Sequence, residues 1–183
     1  LHVIAGAGQV IIGAAPFDDV DACIIMGVNS DELTLELPII SSVSCTTQAL
    51  VPLIDTLDKA FGVESAMMTE IHAVTADQTV LDQAHRDLRR ARASGYNIIP
   101  TTSSSIAATE RVLPNMIGKI NGHSIRVPTI DVAAIDVTFV FSTPNISIDA
   151  IKEALKAASR GYLLDIMAYT EEPLVSSDFI HQT

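Results

Sequence analysis

SCTTQALVPLIDTLDKAFGVESAMMTEIH, residues 44–72, carries three structural signals in one stretch. Leu50, Leu53, Ile54, Leu57, Ala60 and Phe61 recur at the i, i+3, i+4, i+7 spacing of an amphipathic helix, and Gly62 stands where such a helix stops. Val63 to His72 then reads as a strand. Upstream, Ala22 to Val28 (Ala-Cys-Ile-Ile-Met-Gly-Val) is a short apolar run, the pattern of a strand buried on both faces, and Ile39 with Ile40 is a second, shorter candidate. Ser44 and Cys45 fall between a strand-like run and a helix start.

Downstream the pattern changes. Ala76 to Asn97 shows neither helical nor alternating periodicity, and a loop of that length is usually functional. Ala133, Ile135, Val137, Phe139 and Phe141 alternate with more polar neighbours, which predicts a half-buried strand of an antiparallel sheet. Ser147 is placed to cap a helix with Asp149 in its first turn, Ile148, Ile151, Leu155 and Ala158 on one face, and Gly161 beyond its end. A strand followed by a helix, then an antiparallel-looking strand pattern with helices on one face, makes the expected fold α/β plus α+β, an α/β remnant joined to an α+β domain.

Composition narrows the partners. A formal net charge of -11 disfavours nucleic-acid backbones and anionic membranes as main partners, because the long-range field repels both. Hydrophobic residues make up 48% of the chain, yet no apolar run reaches the ~18 residues a bilayer span needs. Cys23 and Cys45 are the only cysteines and have neither CxxC nor ligand-spaced histidine, so no disulfide framework or metal site is expected. A reducing cytoplasm is the expected home.

Cys45 is the first chemical candidate. Amides and partial positive charge at a helix start lower a thiol pKa from its usual ~8.5, and the same amides stabilise an oxyanion on a carbonyl carbon the thiolate attacks. A lone cysteine is, however, most often a small buried apolar residue, and position alone leaves both roles open. His72 ends the following strand, where a side chain reaches the rim of a sheet and serves as base to a nucleophile. Arg86, Arg89, Arg90 and Arg92 concentrate four of the eleven basic residues in one loop of an acidic chain. Such a knot either holds a phosphate or makes salt bridges with Asp77, Asp82 and Asp87. Thr101 to Ser105 is a run of five hydroxyls at an expected helix start, suited to capping or to an anion.

Taken in order, Ser44-Cys45-Thr46-Thr47, the segment Thr69 to Gln78, HRDLRRAR from His85 to Arg92, Ile98-Ile99-Pro100-Thr101-Thr102, Arg126-Val127-Pro128-Thr129 and YTEEPLVSSDF from Tyr169 to Phe179 resemble the glyceraldehyde 3-phosphate dehydrogenase family. The resemblance covers nearly the whole chain. It implies a bacterial-type glyceraldehyde 3-phosphate dehydrogenase truncated at both ends, with erythrose 4-phosphate dehydrogenase as the alternative within the family. It further implies Cys45 as nucleophile through a hemithioacetal and a thioester, His72 as base, and Thr75 and Arg126 on the substrate's phosphate. Ser44, Arg90, Ser103 and Ser104 would surround the attacking inorganic phosphate, and Thr46 would be a further substrate- or phosphate-binding residue. Residues 1–44 would be the end of a Rossmann-type NAD-binding domain, and 45–183 most of a catalytic domain with a mostly antiparallel sheet and helices on one face. The implied cofactor is NAD, with NADP left open, and the implied intact assembly is a homotetramer. The chain departs from the family pattern at Ser42, Gln48, Ala49 and Ser103 to Ile106, and no GxGxxG fingerprint occurs in it. These departures keep open a non-catalytic relative acting as a binding or assembly module.

Overall fold

Residues 1–16 and 18–182 are described by the structure, a computed structural model, and they form two compact units. The first comprises Leu1–Ser65, Ser104–Ile120 and Phe139–Thr170; the second comprises Ala66–Ser103, Asn121–Thr138 and Glu171–Thr183.

In the first unit, β1 (Val10–Ile12), β2 (Ala22–Cys23) and β3 (Ile39–Ser41) form a parallel sheet in the order β1-β3-β2. The strand expected over Ala22 to Val28 is thus shorter than the apolar run. Ile24 and Ile25 stay buried; the Ile24 N–H still donates to the Ser41 carbonyl of β3 at 2.9 Å, and from Ile25 onward the Asn29 side chain takes over the backbone hydrogen bonding. Its Oδ1 accepts from the Ile25 N–H at 2.8 Å while its Nδ2 donates to the Cys23 carbonyl at 2.9 Å. Gly27, at φ +78°, completes the turn in a conformation that suits glycine.

Helix α1 (Cys45–Phe61) follows the predicted stripe: Leu50, Val51 and Ile54 are fully buried and Leu57 nearly so. Gly62 ends it with φ +70° and donates its N–H to the Asp58 carbonyl at 2.8 Å. Helices α2 (Ser105–Val112) and α3 (Ile148–Arg160) both pack on α1. Ser147 caps α3 as expected, accepting from the Ala150 N–H at 3.1 Å. Ile148, assigned to the apolar face by its spacing, is instead 73% exposed, because the whole first turn of α3 lies in solvent. Beyond α3, the Tyr162 hydroxyl lies 2.9 Å from Thr56 Oγ1 and 3.3 Å from Asp55 Oδ2, and Lys59 donates to the same carboxylate at 2.7 Å. Burial holds the Tyr162 hydroxyl above its usual range, and the Asp55 bond holds Lys59 above its own. This network satisfies a carboxylate that is otherwise costly to bury.

The second unit holds most of a sheet ordered β5-β6-β4-β7: β4 (Val63–Ala73), β5 (Ile99–Thr101), β6 (Ile120–Val127) and β7 (Ala133–Phe141), with residues 63–65, 120 and 139–141 of these strands counted in the first unit. β5 and β6 are antiparallel, with Thr101 opposite Ser124. Hydrogen bonds from Ala73 N–H to the Val132 carbonyl and from Ser142 N–H to the Gly62 carbonyl tie opposite ends of β4 and β7, so those two also run antiparallel. Lys119, just before β6, reaches the Val63 carbonyl that opens β4 at 3.1 Å, so β6 and β4 run in the same direction. A Cβ on Gly122 would lie 3.1 Å from Met68 Cβ and 2.5 Å from the Met68 carbonyl oxygen, which sets these two residues opposite one another on one face. Two of the three ladders are antiparallel, in keeping with the expected mostly antiparallel sheet. β7 alternates as its sequence predicted, Ala133, Ile135, Val137, Phe139 and Phe141 being the less exposed set.

The close approach of β6 to β4 yields a stability prediction. Gly122→Ala forces its new methyl against backbone and should lower the unfolding free energy by roughly 1–3 kcal/mol. Gly95→Ala, where a methyl meets nothing within 4 Å, should be near neutral; chemical denaturation of the two variants side by side checks this.

Candidate active site

The turn from β3 into α1 is built around a strained residue. Val43 has φ +56°, a left-handed conformation that costs a β-branched residue on the order of 1–3 kcal/mol. It is held there from two sides. Its side chain is 2% exposed and packs with Cys23, Ile25, Val51, Ala108 and Val112, while its N–H donates to Ser41 Oγ at 2.9 Å. The strained turn leaves Ser44 extended, so that its Oγ accepts from the Thr47 N–H at 3.1 Å, an N-cap bond. Cys45 is therefore the first residue of a 17-residue helix, and it is exposed. Thiolate charge and any oxyanion formed beside it meet the positive end of α1.

A hydroxyl cluster surrounds this helix start. Ser44 Oγ lies 2.7 Å from Thr47 Oγ1 and 3.1 Å from Ser105 Oγ, which joins the first turns of α1 and α2. Thr46 is buried at its side. Ser104 holds the N-cap position of α2 in a helical conformation, is exposed, and makes no side-chain cap bond. Gln48, where the family pattern differs, donates to the Ser42 carbonyl at 2.9 Å and so supports the same turn.

In the second unit His72 is half-buried near the end of β4, with Nδ1 2.6 Å from the Ala73 carbonyl oxygen. Because a carbonyl only accepts, Nδ1 carries the proton in the neutral ring and the basic lone pair is on Nε2. The Ala73 N–H donates to the carbonyl of Val132, another β-branched residue with positive φ, +73°. One strained loop residue thus fixes the peptide that orients the imidazole. With Gly122 opposite Met68 and the strands parallel, Arg126 stands opposite His72 on the same face, half-buried. Thr75 is exposed and directs both its N–H and its hydroxyl to Gln78 Oε1, at 2.9 and 3.0 Å.

Arg90 belongs to a carboxylate network in the loop over residues 74–98. Its guanidinium meets Asp77 Oδ2 at 2.5 Å and Asp87 Oδ2 at 3.4 Å, with Thr102 Oγ1 at 3.5 Å, and its side chain is only 12% exposed. His85 Nδ1 accepts from the Asp87 N–H at 2.9 Å, and its Nε2 lies 3.5 Å from Asp77 Oδ1. Arg92 pairs with Asp82, which also accepts from the Ala93 N–H at 2.7 Å. Both readings of the arginine knot therefore meet here: the carboxylates occupy the arginine that the resemblance assigns to phosphate.

The candidate residues divide between the units, Ser44, Cys45, Thr46 and Ser104 in the first and His72, Thr75, Arg90, Ser103 and Arg126 in the second. Sequence reasoning missed Val43 and Val132, because a positive φ at valine leaves no sequence signal, and it did not single out Ser105 within the hydroxyl run. No helix among the described residues opens on a glycine-rich turn; α1, α2 and α3 are entered through Ser44, Ser104 and Ser147. These residues do not form a dinucleotide cradle. No cluster of three or more metal-ligating side chains occurs among the described residues.

The loop carries a pH prediction. The Ala93 N–H holds the Asp82 carboxyl below its ordinary 3.8, and the Arg89 N–H does the same for Asp87. A carboxyl depressed on folding contributes its full stabilisation above its unfolded pKa and loses it as pH falls through the lower folded value. Protection factors of the amides across residues 82–93, taken relative to intrinsic exchange at each pH, should therefore be steady above the ordinary aspartate pKa of ~3.9 and fall as pH drops below it. Asp82→Asn should show the lower protection already at neutral pH.

The family model described as glyceraldehyde 3-phosphate dehydrogenase, C-terminal domain, matches residues 44–183. The match begins at the serine that caps α1 and takes in the whole second unit and most of the helical layer of the first. On that span the chain belongs to the glyceraldehyde 3-phosphate dehydrogenase family of oxidoreductases.

Proposed function

We propose that this chain performs the thiol chemistry of a phosphorylating aldehyde dehydrogenase acting on glyceraldehyde 3-phosphate in carbohydrate metabolism. The observation that carries the proposal is the exposed Cys45 at the first position of a capped 17-residue helix. In this reading His72 Nε2 takes the thiol proton and the sulfur attacks the aldehyde carbon. The resulting hemithioacetal oxyanion is stabilised by the first amides of α1. Oxidation of the hemithioacetal to a thioester needs a hydride acceptor, which a bound nicotinamide cofactor would supply; inorganic phosphate would then attack the thioester carbonyl, releasing an acyl phosphate and the Cys45 thiolate. NAD as hydride acceptor, with NADP open, rests on family membership alone.

Thr75 and Arg126 are proposed to hold the substrate's phosphate, and Ser44, Thr46, Ser103, Ser104 and Arg90 the incoming one. The hydroxyls of Ser44 and Ser105, 3.1 Å apart at the starts of α1 and α2, support an anion site there. Arg90 acts against two carboxylates and so contributes less than its charge suggests. We further propose residues 1–44 as the end of the nucleotide domain and 45–183 as catalytic domain, in a cytoplasmic homotetramer. Exposed Val80, Leu81, Leu88 and Tyr96 in one loop support self-association.

The intact dehydrogenase should form NADH from glyceraldehyde 3-phosphate in a phosphate-dependent way, and Cys45→Ser should reduce the rate by at least about 10³. Erythrose 4-phosphate, run in parallel, distinguishes the alternative substrate. Absence of thiol-dependent NADH from either aldehyde sinks the enzymatic proposal in favour of a binding or assembly role. Iodoacetamide labelling of Cys45 should reach half its maximal rate well below pH ~8.5 and slow in His72→Asn.

A further inference from the structure

Glu70 is 3% exposed in the middle of β4, two residues before His72 and therefore on the same face. The register of Gly122 against Met68 in parallel strands places Ser124 opposite Glu70 and Arg126 opposite His72. The β5 to β6 register extends the first row to Thr101. One transverse row thus reads Thr101, Ser124, Glu70, and the next reads Ile99, Arg126, His72. Ser124 Oγ and Thr101 Oγ1 are buried and make no hydrogen bond among the described residues, so this row is a polar strip inside the sheet and not apolar packing.

Over residues 66–72 of β4, and in β5 and β6, alternation assigns to that face one carboxylate, Glu70, and one permanent cation, Arg126. An ionised carboxylate this far from water is stable only with an opposite charge beside it. Arg126 is its diagonal neighbour on the adjacent strand, about 7–8 Å away between Cα atoms and within reach of an arginine side chain. A carboxylate engaging one edge of a guanidinium fixes its plane and leaves its other N–H groups to bind a second anion.

We infer that Glu70 is the positioning residue for Arg126, orienting its guanidinium toward the substrate's phosphate. The inference rests on the proposed role of Arg126 and adds a residue that neither the motif matches nor the helix-start chemistry picks out. Glu70 touches neither the thiol chemistry nor the reacting carbon; it acts through Arg126.

The test is binding of glycerol 3-phosphate, against glycerol, to the full chain carrying Cys45→Ser, by calorimetry, with Glu70→Gln and Glu70→Asp added singly and on an Arg126→Lys background. Glu70→Gln should weaken glycerol 3-phosphate about tenfold, leave glycerol unaffected, and be partly restored in Glu70→Asp. On the Arg126→Lys background the same change should have little further effect, because the fork it orients is gone. An unchanged Kd in Glu70→Gln, or an equal loss with and without Arg126, overturns the inference even if Arg126 binds phosphate. A parent chain that takes glycerol 3-phosphate no better than glycerol overturns the assignment of Arg126, and with it the role of Glu70.

Discussion

The N-cap bond from the Thr47 amide to Ser44 Oγ is the constraint on which the candidate site depends. It is made at the end of a turn that the backbone does not favour, since Val43 must adopt φ +56° for Ser44 to be extended. What holds the turn is burial: the Val43 side chain is part of the core that β2, α1 and α2 share, so leaving the left-handed conformation means leaving that core. The strain is thereby offset by hydrophobic packing on the order of a full valine side chain, ~1.5–3 kcal/mol. The result is that a cysteine directly after the cap is exposed at the helix end, while the residues on both sides of it are half-buried or buried.

His72 is fixed by the same means in the other unit. Val132, at φ +73°, presents its carbonyl to the Ala73 N–H, and the Ala73 carbonyl takes the imidazole Nδ1 proton. In both places a β-branched residue in a disfavoured conformation stands one or two residues, or one hydrogen bond, from a candidate catalytic side chain. Strain of this kind persists only where surrounding structure over-determines it, and it gathers at functional sites.

The parts legible in the sequence are those set by local interactions. α1 and α3 begin and end within a residue of their predicted limits, because Ser44, Gly62, Ser147 and Gly161 act on their own neighbours. The alternation of β7 was legible for the same reason. β2 was overextended because its apolar run stays buried while its backbone leaves the sheet after Ile24, where the Asn29 amide takes the Ile25 N–H; only the folded position of that amide decides this. The arginine loop was legible as a choice between phosphate and aspartates, yet which aspartate meets which arginine depends on the path of a loop with no regular structure. Glu70 was invisible as a site residue, since alternation tells which residues share a face but not which face is buried.

The distribution of charge is the last consequence of the fold. With a net charge of -11, anion binding needs positive potential gathered locally, and the two phosphate sites proposed for this chain would gather it in physically different ways. At Ser44 and Ser105 the source is backbone: two helix starts supply amides that no change of side-chain protonation can remove. At Arg90 and Arg126 the source is a guanidinium, and Arg90 is already met by carboxylates. A carboxylate beside an arginine cancels its charge but fixes its geometry, so such a site selects an anion by the directions of its N–H groups more than by attraction. The helix starts, by contrast, attract without that directional selection. The second anion of a phosphorylating reaction, a small and symmetric oxyanion, suits the former; the phosphate of a bound aldehyde, whose position relative to the thiol must be held, suits an oriented arginine.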